Sequence, residues 1–355
     1  MIANFTRTVI TILVISVLLV ACNSSTNGTP AIPTPVSTEL PTESPSPTET
    51  TPPTVTSQPP LVLLIVSPDI DSAQIDELQS TLSELSDTQG YQFQVRPTLT
   101  TDELTQDVSI VVVLPPDPGL TDLAASAPQT QFVGINIPGI ETTGNISAIG
   151  PEGASPDQLG FLAGYIAAVI TTDWRVGTIS TSDSAAGTGS RNGFLNGAVF
   201  FCGLCNPAYP PFYDYPMYGE LHSGATAAEW QIVADMVKDN FVETVYVPAF
   251  VEGNELLTNL TGSGINIIGG ITPPESIRQN WVATVYPDAS DALQQIWPDL
   301  VAGSGGFHLP LSLKLSNLNT NLFSPGRQRL ADQIRLDLQN GFIDTGVDPL
   351  TGKIK

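Results

Sequence analysis

Basic side chains are scarce in this 355-residue chain: 12 Lys and Arg stand against 35 Asp and Glu, for a formal net charge of −23. Nucleic-acid backbones are held by Lys and Arg that displace condensed counterions, so a nucleic-acid partner is excluded. An acidic, soluble surface remains. Histidine is nearly missing as well. His222 and His308 lie far apart, without zinc-ligand spacing and without a neighbouring nucleophile motif. No metal site and no catalytic constellation is therefore read from the sequence, and an enzyme of the cell envelope would need a nucleophile or paired carboxylates that are not found. No phosphate-binding P-loop is present. Gly187-Thr188-Gly189, with Gly193 beyond, misses the dinucleotide fingerprint by one residue and follows a turn read as too long to press a pyrophosphate onto a helix end. The chain is read as a non-enzyme with no cofactor. What it does have is 41% hydrophobic residues and a length suited to about two domains with real cores.

The two ends of the leader are informative. Arg7 precedes an apolar run over 9–20, which ends in Leu19-Val20-Ala21-Cys22. That is a signal peptide closing on a lipobox, in which Cys22 takes the lipid. The mature protein is then expected on the extracytoplasmic face of the cell membrane, lipid-anchored rather than spanning. The alternative is a signal-anchor helix that is never cut. Residues 23–60 are Pro, Thr and Ser with scattered Glu and no apolar periodicity, so they read as a linker. Extended proline-rich chain covers about 3.1 Å per residue, giving a reach on the order of 100 Å.

With Cys22 lipidated, Cys202 and Cys205 are the remaining cysteines, in a disulfide-permissive compartment. They follow the end of an expected helix, where the dipole does not stabilise a thiolate. A local structural disulfide is favoured over a thioredoxin-like centre.

Apolar runs at 61–66 and 108–114 have the length and character of buried parallel strands. Segments 91–95, 131–135 and 145–149 are read as further strands, with helical spacing through Ile75, Leu78, Leu82 and Leu85 and a short helix over 120–125. Helices over 225–240, 254–261 and 325–340 and strands at 244–247 and 265–268 repeat the alternation. Strand and helix alternate throughout, which argues for an α/β protein with a parallel sheet covered on both faces.

The stretch 155–201 reads helix, strand, loop, helix. Ser155 is a candidate N-cap, Pro156 suits the first helical position and Gln158 completes a capping box. Gly160, Gly164 and Ala168 form a small-residue row on an otherwise apolar, buried helix; 181–190 reads as a Gly/Ser loop, and 191–201 as the second helix. Leu159-Gly160-Phe161-Leu162-Ala163-Gly164-Tyr165-Ile166-Ala167-Ala168, then Val176-Gly177, Gly193-Phe194, Gly197-Ala198 and Asn206-Pro207, resembles the hallmark of the basic-membrane-protein family. These are substrate-binding lipoproteins of ABC importers, similar to purine-nucleoside receptors. The resemblance extends more loosely from about Leu61 to the C-terminus. It implies a two-lobed type I periplasmic-binding-protein-like fold, each lobe a mostly parallel sheet with helices on both faces. It places 61–173 plus 281–304 in lobe 1 and 174–280 plus 305–355 in lobe 2, a small molecule between them, and an ABC permease as partner. A tethered sensor or scaffold that keeps the fold without transport is the rival reading.

In open α/β sheets ligands bind beyond the carboxyl ends of strands. That rule points to Ser67 and Asp69, Asp117, Asn136, Ser182 and Asp183, Phe250 and Thr272. They either line one cleft or are ordinary turn residues. The aromatic run 209–216, with Tyr213, is either a packed strand or a stacking wall for a flat ligand. Against the family's nucleoside receptors several polar positions differ. Ser67-Pro68-Asp69-Ile70-Asp71 lacks a Phe-Asn pair, Asn136 stands where an acid is expected, Gly270-Ile271-Thr272 lacks the sugar-binding aspartate, and Pro287 replaces a lysine. A flat ligand, nucleoside-like or other, is expected, less polar or differently substituted than a ribonucleoside.

Overall fold

The computed structural model describes residues 59–68, 72–203, 205–251 and 253–355, the side chains of 72–74 apart. Cys22, the lipobox and the linker as far as residue 58 lie outside the described residues, as does Asp69. Thr56–Lys355 forms one compact unit, and all four clusters of buried apolar side chains lie within it. The unit carries its core within itself.

The first sheet is laid down by β1 (Leu61–Ile65), β2 (Gln92–Arg96), β3 (Val108–Val113), β4 (Gln131–Ile135) and β5 (Ile146–Ile149), with α1 (Ser72–Gln89) and α2 (Leu120–Ser126) between them. The second follows α3 (Pro156–Ile170). Its elements are β6 (Val176–Thr181), α4 (Ala185–Cys202), β7 (Met217–Leu221), α5 (Ala227–Asp239), β8 (Thr244–Val247), α6 (Asn254–Gly262), β9 (Asn266–Gly269) and β10 (Trp281–Asp288). After that come α7 (Ser290–Val301), β11 (His308–Leu309), β12 (Ser312–Ser316) and α8 (Pro325–Gln339). Strand orders are β11-β5-β4-β3-β1-β2 and β12-β10-β9-β8-β6-β7. Every pairing is parallel except β12 against β10. This is a two-lobed α/β architecture.

Alternation along β1 explains why the strand reads as uniformly apolar. Val62 and Leu64 pack with Ile75, Leu78 and Leu82 of α1 and with Leu293, Ile296 and Trp297 of α7. Leu61, Leu63 and Ile65 pack on the other face with Leu120 and Leu123 of α2. Each fully buried Leu or Ile stabilises the fold by about 1.5–3 kcal/mol relative to exposure.

The expected lobe boundaries need correcting at three places. Helix α3 belongs to the second lobe, because its buried face packs with Val176, Phe194 and Tyr246. Strand β10 also belongs there, since Trp281 through Thr284 pair with β9 and bury their side chains in second-lobe clusters. His308–Leu309 returns to the first lobe, pairing with Ala148 and Ile149. Three segments therefore cross between lobes: 150–155, Ala289 and Pro310-Leu311.

The Gly/Ser loop expected over 181–190 is mostly helix. Helix α4 starts at Ala185, its N-cap Ser184 accepting from Gly187 N at 2.9 Å. Glycine serves close packing here. A Cβ at Gly193 or Gly197 would lie 2.1 or 2.0 Å from the carbonyl oxygens of Asp157 or Phe161, and one at Gly160 or Gly164 would lie 2.1 or 2.0 Å from those of Ser190 or Phe194. The two helices interlock backbone to backbone, leaving room for Cα–H···O contacts. The turn before α4 is short rather than long, but Gly187 lies against Thr181 and Gly189 against Gly352, so these glycines face protein. Helix α3 begins at Pro156 as expected, although Ser155 makes no side-chain capping bond.

Candidate ligand cleft

The crossings fix which edges meet. One leaves the carboxyl end of β5, another the carboxyl end of β10, and the third runs from the end of β11 to the start of β12, whose Ser312 lies opposite Asp288. The carboxyl edges of both sheets are thus brought to the same side. At the first crossing Gly150 has φ +63° and packs on Leu311 of the third, where a Cβ would lie 2.4 Å from Leu311 Cγ. Only glycine fits there.

On the first lobe, Ser67 lies half-buried two residues beyond β1. Asp117 follows β3, and its Oδ1 accepts from Gly119 N at 3.0 Å and Leu120 N at 2.8 Å, so it starts α2. Asn136 is exposed beyond β4 in the left-handed region, φ +54°, with its backbone N–H donating to Ile149 O at 2.8 Å. On the second lobe, Ser182 N donates to Leu221 O at 2.8 Å and prolongs the β6–β7 ladder. Asp183 accepts from Ser223 N and Ser223 Oγ, both at 2.8 Å, and these bonds hold its carboxyl below the usual range. Phe250 and Thr272 are exposed beyond β8 and β9. Thr284 sets the β9 loop by donating to Ile271 O at 3.0 Å, while Trp281 Nε1 donates to Thr284 Oγ1 at 3.0 Å. These residues share the carboxyl edges.

Tyr213 does not join them. It precedes β7 and stacks on Phe241, which precedes β8, with centroids 6.3 Å apart and planes at 15°. Both rings lie at the amino edge of the second sheet, so the stacking wall expected near the ligand is on the opposite side of the lobe. Cys202 and Cys205 are joined nearby, with Cα atoms 5.7 Å apart.

The crossings carry charged groups that the sequence did not single out. Tyr286, near the end of β10, donates to Glu77 on α1, and Lys314 on β12 donates to Asp291 on α7 at 2.6 Å. Burial and the Glu77 bond push the Tyr286 phenol well up. Asp288 is pushed up by burial, although it accepts from Ser290 N at 2.8 Å and Ser290 Oγ at 3.0 Å. A lysine does reach this neighbourhood. Lys314 is the cross-strand partner of Tyr286, beside the Pro287 that carries no charge. The Asp288-Ala289-Ser290 spacing at the start of α7 is the one local signal for this group; the Glu77–Tyr286 contact spans 209 residues and leaves no trace in sequence.

Among the described residues no group of three His, Cys, Asp or Glu is arranged to hold a metal ion. Two cavities stand out, of about 210 and 330 Å³: one lies beside the disulfide, and the other lies between Trp281 and Asn317 to Thr320, with Pro273, next to Thr272, in its wall. A site made by two lobes closing is assembled from loop ends and needs no preformed cavity in either lobe.

No family model matches the chain, and no curated protein matches it in sequence. Solved structures do. An ABC transporter system solute-binding protein from Conexibacter woesei superposes with a TM-score of 0.60 at 15% identity, covering 81% of this chain and 98% of that one. A second such protein, from Aeropyrum pernix, gives 0.51 at 14% identity over 80% and 92%. A transcriptional activator of the comK gene from Bacillus halodurans gives 0.51 at 13% identity over 79% and 98%. At these identities the likeness is one of fold.

Proposed function

We propose that this chain is a solute-binding lipoprotein of the basic-membrane-protein type, anchored through Cys22 on the extracytoplasmic face and passing a small molecule to an ABC permease. The observation that carries the reading is the meeting of two carboxyl edges across three crossings, with short polar side chains and Phe250 contributed by the loops. That arrangement lets two lobes close on one molecule. Asp117, Asp183, Asp291 and Glu77 are each already bonded within the protein, which favours a ligand of low charge. Phe250 supplies a face on which a flat ring stacks. A nucleoside-like or other flat molecule with few hydroxyl groups fits, and Tyr213 takes no part.

Mass spectrometry of the molecule that copurifies with the Thr56–Lys355 unit tests this, followed by a thermal-shift panel of nucleosides, nucleobases, sugars and amino acids. Ligand at about 100 times its dissociation constant stabilises by about 2.7 kcal/mol, a shift of several degrees. A panel without response and a protein purified without any small molecule would remove the reading. The rival, a tethered sensor, is supported by a fold shared with a transcriptional activator. Loss of ligand uptake in cells lacking the protein separates transport from sensing.

A further inference from the structure

Opposite the cleft, the amino edge of the second sheet carries an aromatic surface that the ligand reading leaves unused. Arg175, just before β6, is only 6% exposed. Its guanidinium donates to Tyr209 O at 2.8 Å, Pro211 O at 3.3 Å, the Asp173 carboxylate at 2.8 Å and the Tyr215 hydroxyl at 3.4 Å. Asp173 in turn accepts from Ala208 N at 2.6 Å, and the Tyr215 hydroxyl donates to Asn240 O. The Cys202–Cys205 disulfide closes the start of the same segment. Loop 206–216 is thus held from beneath by a buried cation.

What this loop displays is apolar. Tyr209 is 73% exposed and Phe212 69% exposed, beside the Tyr213–Phe241 stack. Exposed Phe200 and Phe201 continue the surface round the end of α4, with Phe201 5.5 Å from Tyr165 and 6.0 Å from Trp174 between ring centroids. Trp174, Val199, Cys202, Tyr215 and Pro216 line a cavity of about 210 Å³ between loop 206–216 and the end of α4. Taking about 200 Å² per ring, the exposed parts of these side chains amount to on the order of 700 Å². That exceeds what a monomer usually leaves in one apolar patch and approaches the roughly 800 Å² per partner of a standard interface.

We infer that this surface pairs two copies of the chain about a twofold axis. The surface holds both halves of such a contact, protruding rings at Tyr209 and Phe212 and a cavity beside them. A twofold operation presents each copy's rings to the other's cavity. A loop whose backbone is held in advance loses little entropy on docking. The contact lies at the edge remote from the cleft, so both clefts stay open. Asp214 and Glu243 flank the rings and are exposed, and the chain as a whole carries −23. Like charges oppose the pairing, and salt therefore strengthens it by screening them.

Sedimentation equilibrium of the Thr56–Lys355 unit at low salt and at about 0.5 M salt tests the inference. A dimer is expected that tightens with salt. The double change Tyr209→Ser, Phe212→Ser should weaken it by about tenfold or more, the loss typical of central aromatic contacts. Val199→Phe, which fills the cavity, should weaken it too, while Ile232→Ser on α5 should leave it unchanged. Circular dichroism checks that each variant keeps its fold. A monomer at about 100 μM in both salts would overturn the inference, and so would a dimer indifferent to both the ring and the cavity changes. A dimer that salt dissociates would also count against it, because that response belongs to charge pairing.

Discussion

The two edges of the second sheet are built from different materials. At the carboxyl edge the chain turns on Ser182, Asp183, Ser223 and Thr272, with loops joined through one residue pair, as Asp183 is to Ser223 by two hydrogen bonds. At the amino edge a buried arginine, a disulfide and a run of prolines and aromatics fix one loop from several directions. Loops with few mutual bonds re-form round a ligand at little cost, and a loop tied to a buried cation does not. The difference teaches that the aromatic run 209–216, the most conspicuous stretch in sequence, serves the rigid edge, while inconspicuous short side chains and the single Phe250 stand where two lobes meet.

Behind both edges the α3–α4 pair acts as common scaffold, and breaking it should have the largest effect. Gly197→Val places branched carbon against the Phe161 carbonyl and should cost on the order of 4 kcal/mol in urea unfolding, with binding lost alongside stability. An unchanged midpoint would mean the helices separate easily and the close approach contributes nothing. Next comes Arg175→Met, which leaves Asp173 and the loop carbonyls without their donor. A loss of about 3 kcal/mol is expected, together with faster proteolysis within 206–216 and little change in ligand affinity. Should affinity fall as far as stability, the two edges are not independent.

The disulfide ranks below these. Cys202→Ser with Cys205→Ser opens a loop far shorter than the 15 residues for which about 3 kcal/mol is expected, so a smaller loss is predicted by denaturant titration. The smallest effect belongs to the carboxyl edge and fades in acid. Bonds from Ser223 lower the folded pKa of Asp183, and a bond from Ala208 lowers that of Asp173. A group lowered on folding contributes stability that is complete above its unfolded value, about 3.9, and fades as pH falls through the folded one. Asp183→Asn should therefore lower stability slightly at neutral pH, change little at acid pH where the wild-type carboxyl is protonated, and so flatten the acid limb of the stability curve. A loss of equal size at acid pH would show that the side chain acts through something other than its charge.

Much of the fold is legible in sequence because a strand buried on both faces must be apolar, as 61–65 and 110–113 are. Glycine misleads at 185–190, where it reads as loop; the reason for it lies in distant neighbours, at Thr181 of β6, Asp157 of α3 and Gly352 of the C-terminal segment. Lobe membership of β10 and β11 was not legible either, since a crossing alters which strand is the neighbour without altering composition. At the cleft, the rule about strand ends selects Ser67, Asp117, Asn136, Ser182, Asp183, Phe250 and Thr272 correctly as edge residues. It is silent about partners. Nothing local links Asp183 to Ser223 across 40 residues, or Tyr213 to the wrong edge, because edge identity depends on which strand follows a loop.

The central claim, a small molecule held between two lobes, is tested most directly by hydrogen exchange of the Thr56–Lys355 unit. The unit as purified is compared with the same unit stripped of its small molecule by unfolding and refolding. The account predicts slower exchange in the purified form at 136–140 and at 182–184 together, with 206–216 the same in both. Protection confined to one lobe, protection at 206–216 instead, or no difference at all would contradict it.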